Sequence, residues 1–350
     1  MPEAYHLPSG QYDAWLATLR RHGRLIAPVM REGEYRFDVL ADDELPMLGR
    51  GLTRRSPKWV FFPQHEAMLR FRRQADDYAS AEVAQPNNTP QVLLGVAPCD
   101  AASLPMLDRI FMDNYHDPYY AARRRNTLVI ALACARPTST CFCHALGGGP
   151  ADAAGADLLL TVIDGGYLLE TITPAGQSAA AGWGLDPADG DHREQATRAH
   201  AVAVEKLKPI ESLAGIEAKL EGLFNHPLWR EAAEKCIACG TCTYNCPECH
   251  CFDIRDLPLA DGGERVRGWD ACMYAQFTVH ASGHNPRPDQ GARWRQRIMH
   301  KFSYLPANIG LYGCVGCGRC ITSCPVRLDI RQVLDAVRRA LPEEASRGTV

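Results

Sequence analysis

Fifteen cysteines stand in this chain of 350 residues, and they are unevenly placed. Four lie between Cys99 and Cys143, and eleven lie between Cys236 and Cys324. Eight of the eleven form a repeat. KCIACGTCTYNCP carries Cys236, Cys239, Cys242 and Cys246, and GCVGCGRCITSCP carries Cys314, Cys317, Cys320 and Cys324. Both copies read C-x2-C-x2-C-x3-C-P, a spacing that binds [4Fe-4S] clusters. Three cysteines at that interval let one short loop wrap a cubane. The small residues Ala238, Gly240, Gly316 and Gly318 let backbone N–H groups approach the inorganic sulfides. The last cysteine of each run points to the other cluster. Cluster one is therefore expected on Cys236, Cys239, Cys242 and Cys324, and cluster two on Cys314, Cys317, Cys320 and Cys246. Pro247 and Pro325 turn the chain out of each site. The competing chemistry is a zinc-stabilised interaction scaffold. Structural zinc uses separated cysteine pairs, and two identical runs of this kind argue against it.

Between the copies lies a long insert, residues 248–313. Its Cys249, Cys251 and Cys272 read as buried thiols lining the cluster domain rather than as a further metal site. His250, His280, His284 and His300 are too loosely spaced to name a ligand set. The basic run ARWRQRIMHKF, with Arg293, Arg295, Arg297 and Lys301, is expected to form a solvated or interface-facing helix.

A second group of thiols belongs to the first half of the chain. Cys99 and Asp100 follow an apolar run, Val92–Ala97, and Cys134 follows another, Leu128–Ala133. Functional crevices of α/β sheets form at the carboxyl ends of strands. If the two runs are parallel neighbours, Cys99 and Cys134 meet at one sheet edge, close in sequence to Cys141 and Cys143. A cubane needs four ligands, and Cys99, Asp100, Cys134, Cys141 and Cys143 offer five. Two core cysteines beside an inert loop would show the same spacing.

The elements that must hold these residues follow from pattern. Tyr12, Trp15, Leu16 and Leu19 mark one face of a helix, and Ile330, Val333, Leu334, Val337 and Leu341 mark another. Trp59–Phe62, Val92–Ala97 and Leu128–Ala133 read as buried strands. Leu158–Ile163 and Tyr167–Thr171 flank a glycine turn and predict a hairpin. A helix is expected over Ala102–Met112 and a linker over Thr173–Gly190. Gly147-Gly148-Gly149 is followed by Pro150 and lacks the setting of a phosphate loop. The fold class expected is an α/β N-terminal domain followed by a mostly α-helical, ferredoxin-like domain with two [4Fe-4S] clusters. The expected partition is 1–190, a helical connector 191–224, and a cluster domain 225–350.

Composition narrows the function. Apolar residues make up 46% and charged residues 23% of the chain, with a net charge of −3. No global basic field points to nucleic acid. The apolar run Leu128–Ala135 is too short to span a bilayer. The opening MPEAYHLPSGQYDAW lacks a signal pattern, so a cytoplasmic protein with reduced thiols is expected.

Several segments carry a resemblance: GVAPCDAASLPMLDRIF, YYAARRRNTLVIALACARPTSTCFC, KCIACGTCTYNCPECHCF, RGWDACMYAQF, ASGHNPRPDQGARWRQR and YGCVGCGRCITSCP. The chain resembles the beta subunit of cytosolic NAD(P)-linked [NiFe] hydrogenases of the sulfhydrogenase type, and is similar to the electron-input subunit of anaerobic sulfite reductase. The resemblance implies a non-catalytic iron–sulfur electron-transfer subunit. It would relay electrons between the small and large subunits of a [NiFe] hydrogenase and a FAD- and [2Fe-2S]-containing NAD(P)H-binding subunit. In the alternative, it would feed a sulfite or sulfur reductase catalytic subunit. The resemblance also implies a third [4Fe-4S] cluster in the N-terminal domain with three cysteines and an aspartate as ligands. Asp100 is then the carboxylate, and one of Cys99, Cys134, Cys141 and Cys143 is left over.

Overall fold

The computed structural model describes residues 3–73, 79–113 and 115–340. In chain order its strands are β1 Ala4–Pro8, β2 Arg24–Arg31, β3 Glu34–Val39, β4 His65–Arg73, β5 Ala79–Val83 and β6 Gln91–Val96. They continue with β7 Thr127–Leu132, β8 Leu158–Ile163, β9 Gly166–Thr171, β10 Asp186–Pro187, β11 Phe252–Leu259 and β12 Gly262–Trp269. The chain divides into two compact units. The first takes Met1–Phe61, Pro86–Glu211 and Val315–Gly318; the second takes Phe62–Gln85, Ser212–Cys314 and Arg319–Val350. This division differs from the linear partition expected at 190 and 225. Residues 62–85 and 315–318 each group with chain that is remote in sequence.

The first unit is built on an eight-stranded sheet in the order β10-β1-β9-β8-β7-β6-β2-β3. Strands β2, β6, β7 and β8 are parallel. β6 and β7 are buried along nearly their whole length, as parallel strands covered on both faces must be. Leu25, Ala27, Val29, Val92, Leu94, Leu128, Ile130, Leu158 and Leu160 recur at every second residue and share one face. That face packs on Trp15, Leu16 and Leu19 of the helix Tyr12–His22. The expected hairpin is present: β8 and β9 pair antiparallel, with Gly165 at φ +77° in the turn.

Three local expectations are corrected. Trp59–Phe62 is not a strand, because Pro57 opens a buried 3-10 turn, Pro57–Val60. An apolar run of that length cannot distinguish the two. The helix expected over Ala102–Met112 starts at Leu104 and changes pitch, with Leu104–Asp108 α-helical and running straight into a π-turn, Arg109–Asp113. The expected linker holds a helix, Pro174–Ala181, whose cap Thr173 accepts from the Gly176 N–H.

The second unit contains helices and a four-stranded antiparallel sheet, β11-β12-β4-β5. The sheet was not expected from the sequence. β11 is almost wholly exposed and shows no alternation. β12 pairs with β4 across a long sequence gap, Arg267 opposite Glu66. These two residues form a buried ion pair, and the guanidinium lies over the rings of Phe62 and Phe252 at 5.2 and 5.6 Å. The helix Ile330–Arg339 buries Ile330, Val333, Leu334 and Val337 as the stripe expects, while Leu341 lies outside the described residues. Among the described residues no helix is long and apolar enough to cross a membrane.

Candidate metal centre

In the second unit, the first cysteine run passes through two left-handed residues, Ala238 at φ +56° and Gly240 at φ +73°. The tight path turns Cys236, Cys239 and Cys242 toward one cavity, which Cys320 and Cys324 also line. The remaining wall is largely apolar, with Ile237, Met273, Trp294, Val326, Leu328 and Ile330. Two N–H groups meet sulfur here: Gln290 Nε2 donates to Cys236 Sγ at 3.1 Å, and the Leu328 N–H donates to Cys324 Sγ at 3.3 Å. A soft, all-sulfur donor set with N–H···S bonds and an apolar wall fits an iron–sulfur cluster. Cys314 lies within electrostatic reach of Cys320 and Cys246 in the same unit.

Of the insert thiols Cys249 is buried, while Cys251 and Cys272 are half-buried, and each hydrogen-bonds another cysteine. Cys246 is pushed up to about 12, first by its hydrogen bond with Cys249 and then by burial. The same bond pulls Cys249 down. Cys251 and Cys272 form a second hydrogen-bonded pair, which pushes Cys251 up and pulls Cys272 down. Burial pushes Cys242 up to about 12. A thiol held protonated in this way gives up its proton when metal binds. Among the described residues no group of His, Cys, Asp or Glu converges closely enough to hold a single metal ion.

The basic run is a correction. Asp289 caps the helix Gln290–Met299 by accepting from the Ala292 N–H at 2.8 Å, and a π-turn, His300–Tyr304, continues it. Arg293, Arg297 and Lys301 are buried rather than solvated. They recur every fourth residue and therefore share one face of the continuous turns. Arg297 donates to the Cys242 carbonyl at 3.0 Å and toward Cys249 Sγ at 3.7 Å. Lys301 donates to Cys246 Sγ at 3.5 Å and to the Gly313 carbonyl. Burial alone would pull both cations down, yet the facing sulfurs hold each well above its ordinary value. The sequence carried one signal for this. Trp294, Ile298, Met299 and Phe302 make the same segment too apolar for a solvated helix.

In the first unit, β6 and β7 are parallel neighbours, so the segments after them leave the same end of the sheet. Cys99 and Asp100 sit on the one-turn helix Pro98–Ala101, where Asp100 is 3% exposed. Cys134 is held by its N–H on the Pro150 carbonyl at 2.7 Å. Cys134, Cys141 and Cys143 lie within electrostatic reach of one another. Burial pushes Cys143 up to about 11, and Cys141 and Cys134 add to that. Cys141 Sγ accepts from the Thr138 N–H at 3.3 Å. The segment Val315–Gly318 packs on this loop within the unit. The Phe142 N–H donates to the Gly316 carbonyl at 2.8 Å, and Cys141 Sγ lies 3.9 Å from the Cys317 carbonyl. Gly316 at φ +65° touches Cys143 so closely that a Cβ would stand 2.5 Å from its nitrogen. The small residues of the second run therefore serve a packing need that the spacing alone does not reveal.

Residues 235–328 match the 4Fe-4S dicluster domain family. Sulfhydrogenase 2 subunit beta of Pyrococcus furiosus is 33% identical over 345 residues, covering 96% of this chain and 98% of that protein. No solved structure matches. With two cysteine runs, a cavity lined by five cysteines and a match over nearly the full chain, this protein belongs to the sulfhydrogenase beta-subunit family and is an iron–sulfur electron-transfer subunit carrying [4Fe-4S] clusters.

Proposed function

We propose that this chain relays electrons between the [NiFe] small and large subunits of a cytoplasmic hydrogenase complex and a FAD- and [2Fe-2S]-containing NAD(P)H-binding subunit. The observation that carries the reading is one cavity lined by Cys236, Cys239 and Cys242 of the first run and by Cys320 and Cys324 of the second, the mixing of runs that exchanged ligands require. The first cubane takes Cys236, Cys239, Cys242 and Cys324 and the second takes Cys314, Cys317, Cys320 and Cys246, an assignment that rests on the repeated spacing. Ligands exchanged between runs keep two cubanes close, which suits relay over chemistry. A third [4Fe-4S] cluster occupies the first-unit site, with Asp100 and three of Cys99, Cys134, Cys141 and Cys143. The grouping of Cys134, Cys141 and Cys143, next to the strand end that carries Asp100, supports it.

The test is anaerobic purification of the native complex, followed by identification of its subunits and assay with and without this chain. The expected result is a [NiFe] large subunit in the complex. Removing the chain should abolish hydrogen-dependent NAD(P)+ reduction while sparing hydrogen oxidation by an artificial dye. A sirohaem subunit in place of the [NiFe] subunit would overturn the hydrogenase assignment. Absence of acid-labile sulfide would overturn the relay itself.

A further inference from the structure

The geometry points to Arg297 and Lys301 as potential-setting residues, two buried fixed cations that raise the reduction potentials of the two ferredoxin-type clusters by standing beside their ligand cysteines. The inference rests on the ligand assignment proposed above. Its starting point is a physical oddity. Removing a guanidinium and an ammonium from water costs several kcal/mol each unless they are compensated. Arg297 is 2% exposed and Lys301 4% exposed. Their partners are sulfurs and carbonyls rather than carboxylates: Cys249 Sγ and the Cys242 carbonyl for Arg297, and Cys246 Sγ and the Gly313 carbonyl for Lys301.

A cubane held by four thiolates is anionic, and each added electron makes it more so. A fixed positive charge beside the ligand sulfur therefore stabilises the reduced form more than the oxidised form. Burial strengthens the effect, because little water remains to screen it. The two cations are shared unequally between the clusters. Arg297 reaches the Cys242 carbonyl, on a ligand of the first cubane, and lies within electrostatic reach of Cys320, a ligand of the second. Lys301 reaches Cys246 Sγ and lies beside Cys314, both ligands of the second. The π-turn His300–Tyr304 carries Lys301 between Cys246 and Gly313, the residue before Cys314. One element thus brings fixed positive charge to both cubanes, with Lys301 beside the second alone.

The inference predicts different behaviour for the two positions. The experiment is an anaerobic redox titration of the full chain, followed by low-temperature EPR, with iron and acid-labile sulfide counted on each sample. Lys301→Met should lower the potential of the cluster that holds Cys246. Arg297→Met should lower that of the cluster that holds Cys242. Each shift should reduce the ratio of reduced to oxidised cluster at a fixed poise by tenfold or more, which is about 59 mV for a one-electron couple. Lys301→Arg and Arg297→Lys keep the charge and should titrate near wild type.

Four outcomes would overturn the inference. A Met variant with full iron and an unshifted potential would mean that the cations answer the Cys249 and Cys272 thiolates instead. Equal shifts in the Met variants and their charge-keeping counterparts would make packing the cause. Iron loss from a Met variant that the charge-keeping variant also shows would make the residue one of assembly. Iron loss confined to the Met variant would likewise assign the charge to cluster retention rather than to potential. A wild-type protein without acid-labile sulfide would fail the ligand assignment separately, before any variant is compared.

Discussion

In the second unit Cys236, Cys239 and Cys242 come from one short loop, whereas in the first Cys99 and Cys134 follow the ends of neighbouring strands. The loop site is local. Cys236, Cys239 and Cys242 sit within seven residues, and the backbone between them must take left-handed conformations at Ala238 and Gly240. The strand site is a product of topology, because only the parallel pairing of β6 with β7 brings the chain after Val96 beside the chain after Leu132. Their surroundings differ as well. Sulfurs of the second unit face the buried cations Arg297 and Lys301, while Cys141 in the first unit accepts from the N–H of Thr138, a neutral donor. Equal donor atoms thus sit in unequal fields, and the clusters they hold should differ in potential and in tolerance to mutation.

Ligand removal is the strongest way to break this comparison. Cys324→Ser should strip one cubane from the second unit, a loss of about four irons per chain. Retention of all the iron would move Cys324 out of the first ligand set. The matching change in the first unit is the double substitution Cys141→Ser with Cys143→Ser. It should also remove about four irons, while the EPR signals of the second unit stay in place. An unchanged iron count would reduce the Cys99–Cys143 group to core thiols and leave the clusters to the second unit alone.

A smaller effect is expected where the second cysteine run meets the CFC loop. Gly316→Ala places a methyl group 2.5 Å from the Cys143 nitrogen and the Phe142 carbonyl carbon, at a φ of +65°. Both the contact and the left-handed backbone oppose it, and a cost of about 1–3 kcal/mol follows. Thermal unfolding followed by circular dichroism reads the loss. An unchanged midpoint would show that the loop yields freely there.

The same contrast explains what was legible in the sequence. The ferredoxin spacing is a statement about one loop, so it can be read without knowing any other part of the fold. Val92–Ala97, Leu128–Ala133 and the hairpin around Gly165 were also legible, because fully buried strands are continuous apolar runs and the turn needs glycine. The sheet of the second unit was not. Its β12 pairs with β4 about 200 residues away, and β11 exposes nearly every side chain, so no periodicity survives. The buried cations escaped for a related reason. Arginine and lysine are read as surface residues by default, and only the sulfurs facing Arg297 and Lys301 make their burial tolerable.

The finest test sets the carboxylate of the first unit against the all-sulfur site of the second. Asp100 is buried at the end of β6, on the one-turn helix that also carries Cys99. As a ligand it would be harder than a thiolate and would donate less electron density to iron. Asp100→Cys should therefore keep the iron count and lower the potential of that cluster alone, bringing the first-unit site closer in kind to the second. Redox titration of that cluster reads the effect. If the potential does not move, Asp100 is a buried structural residue, and the first-unit cluster is held by its four cysteines.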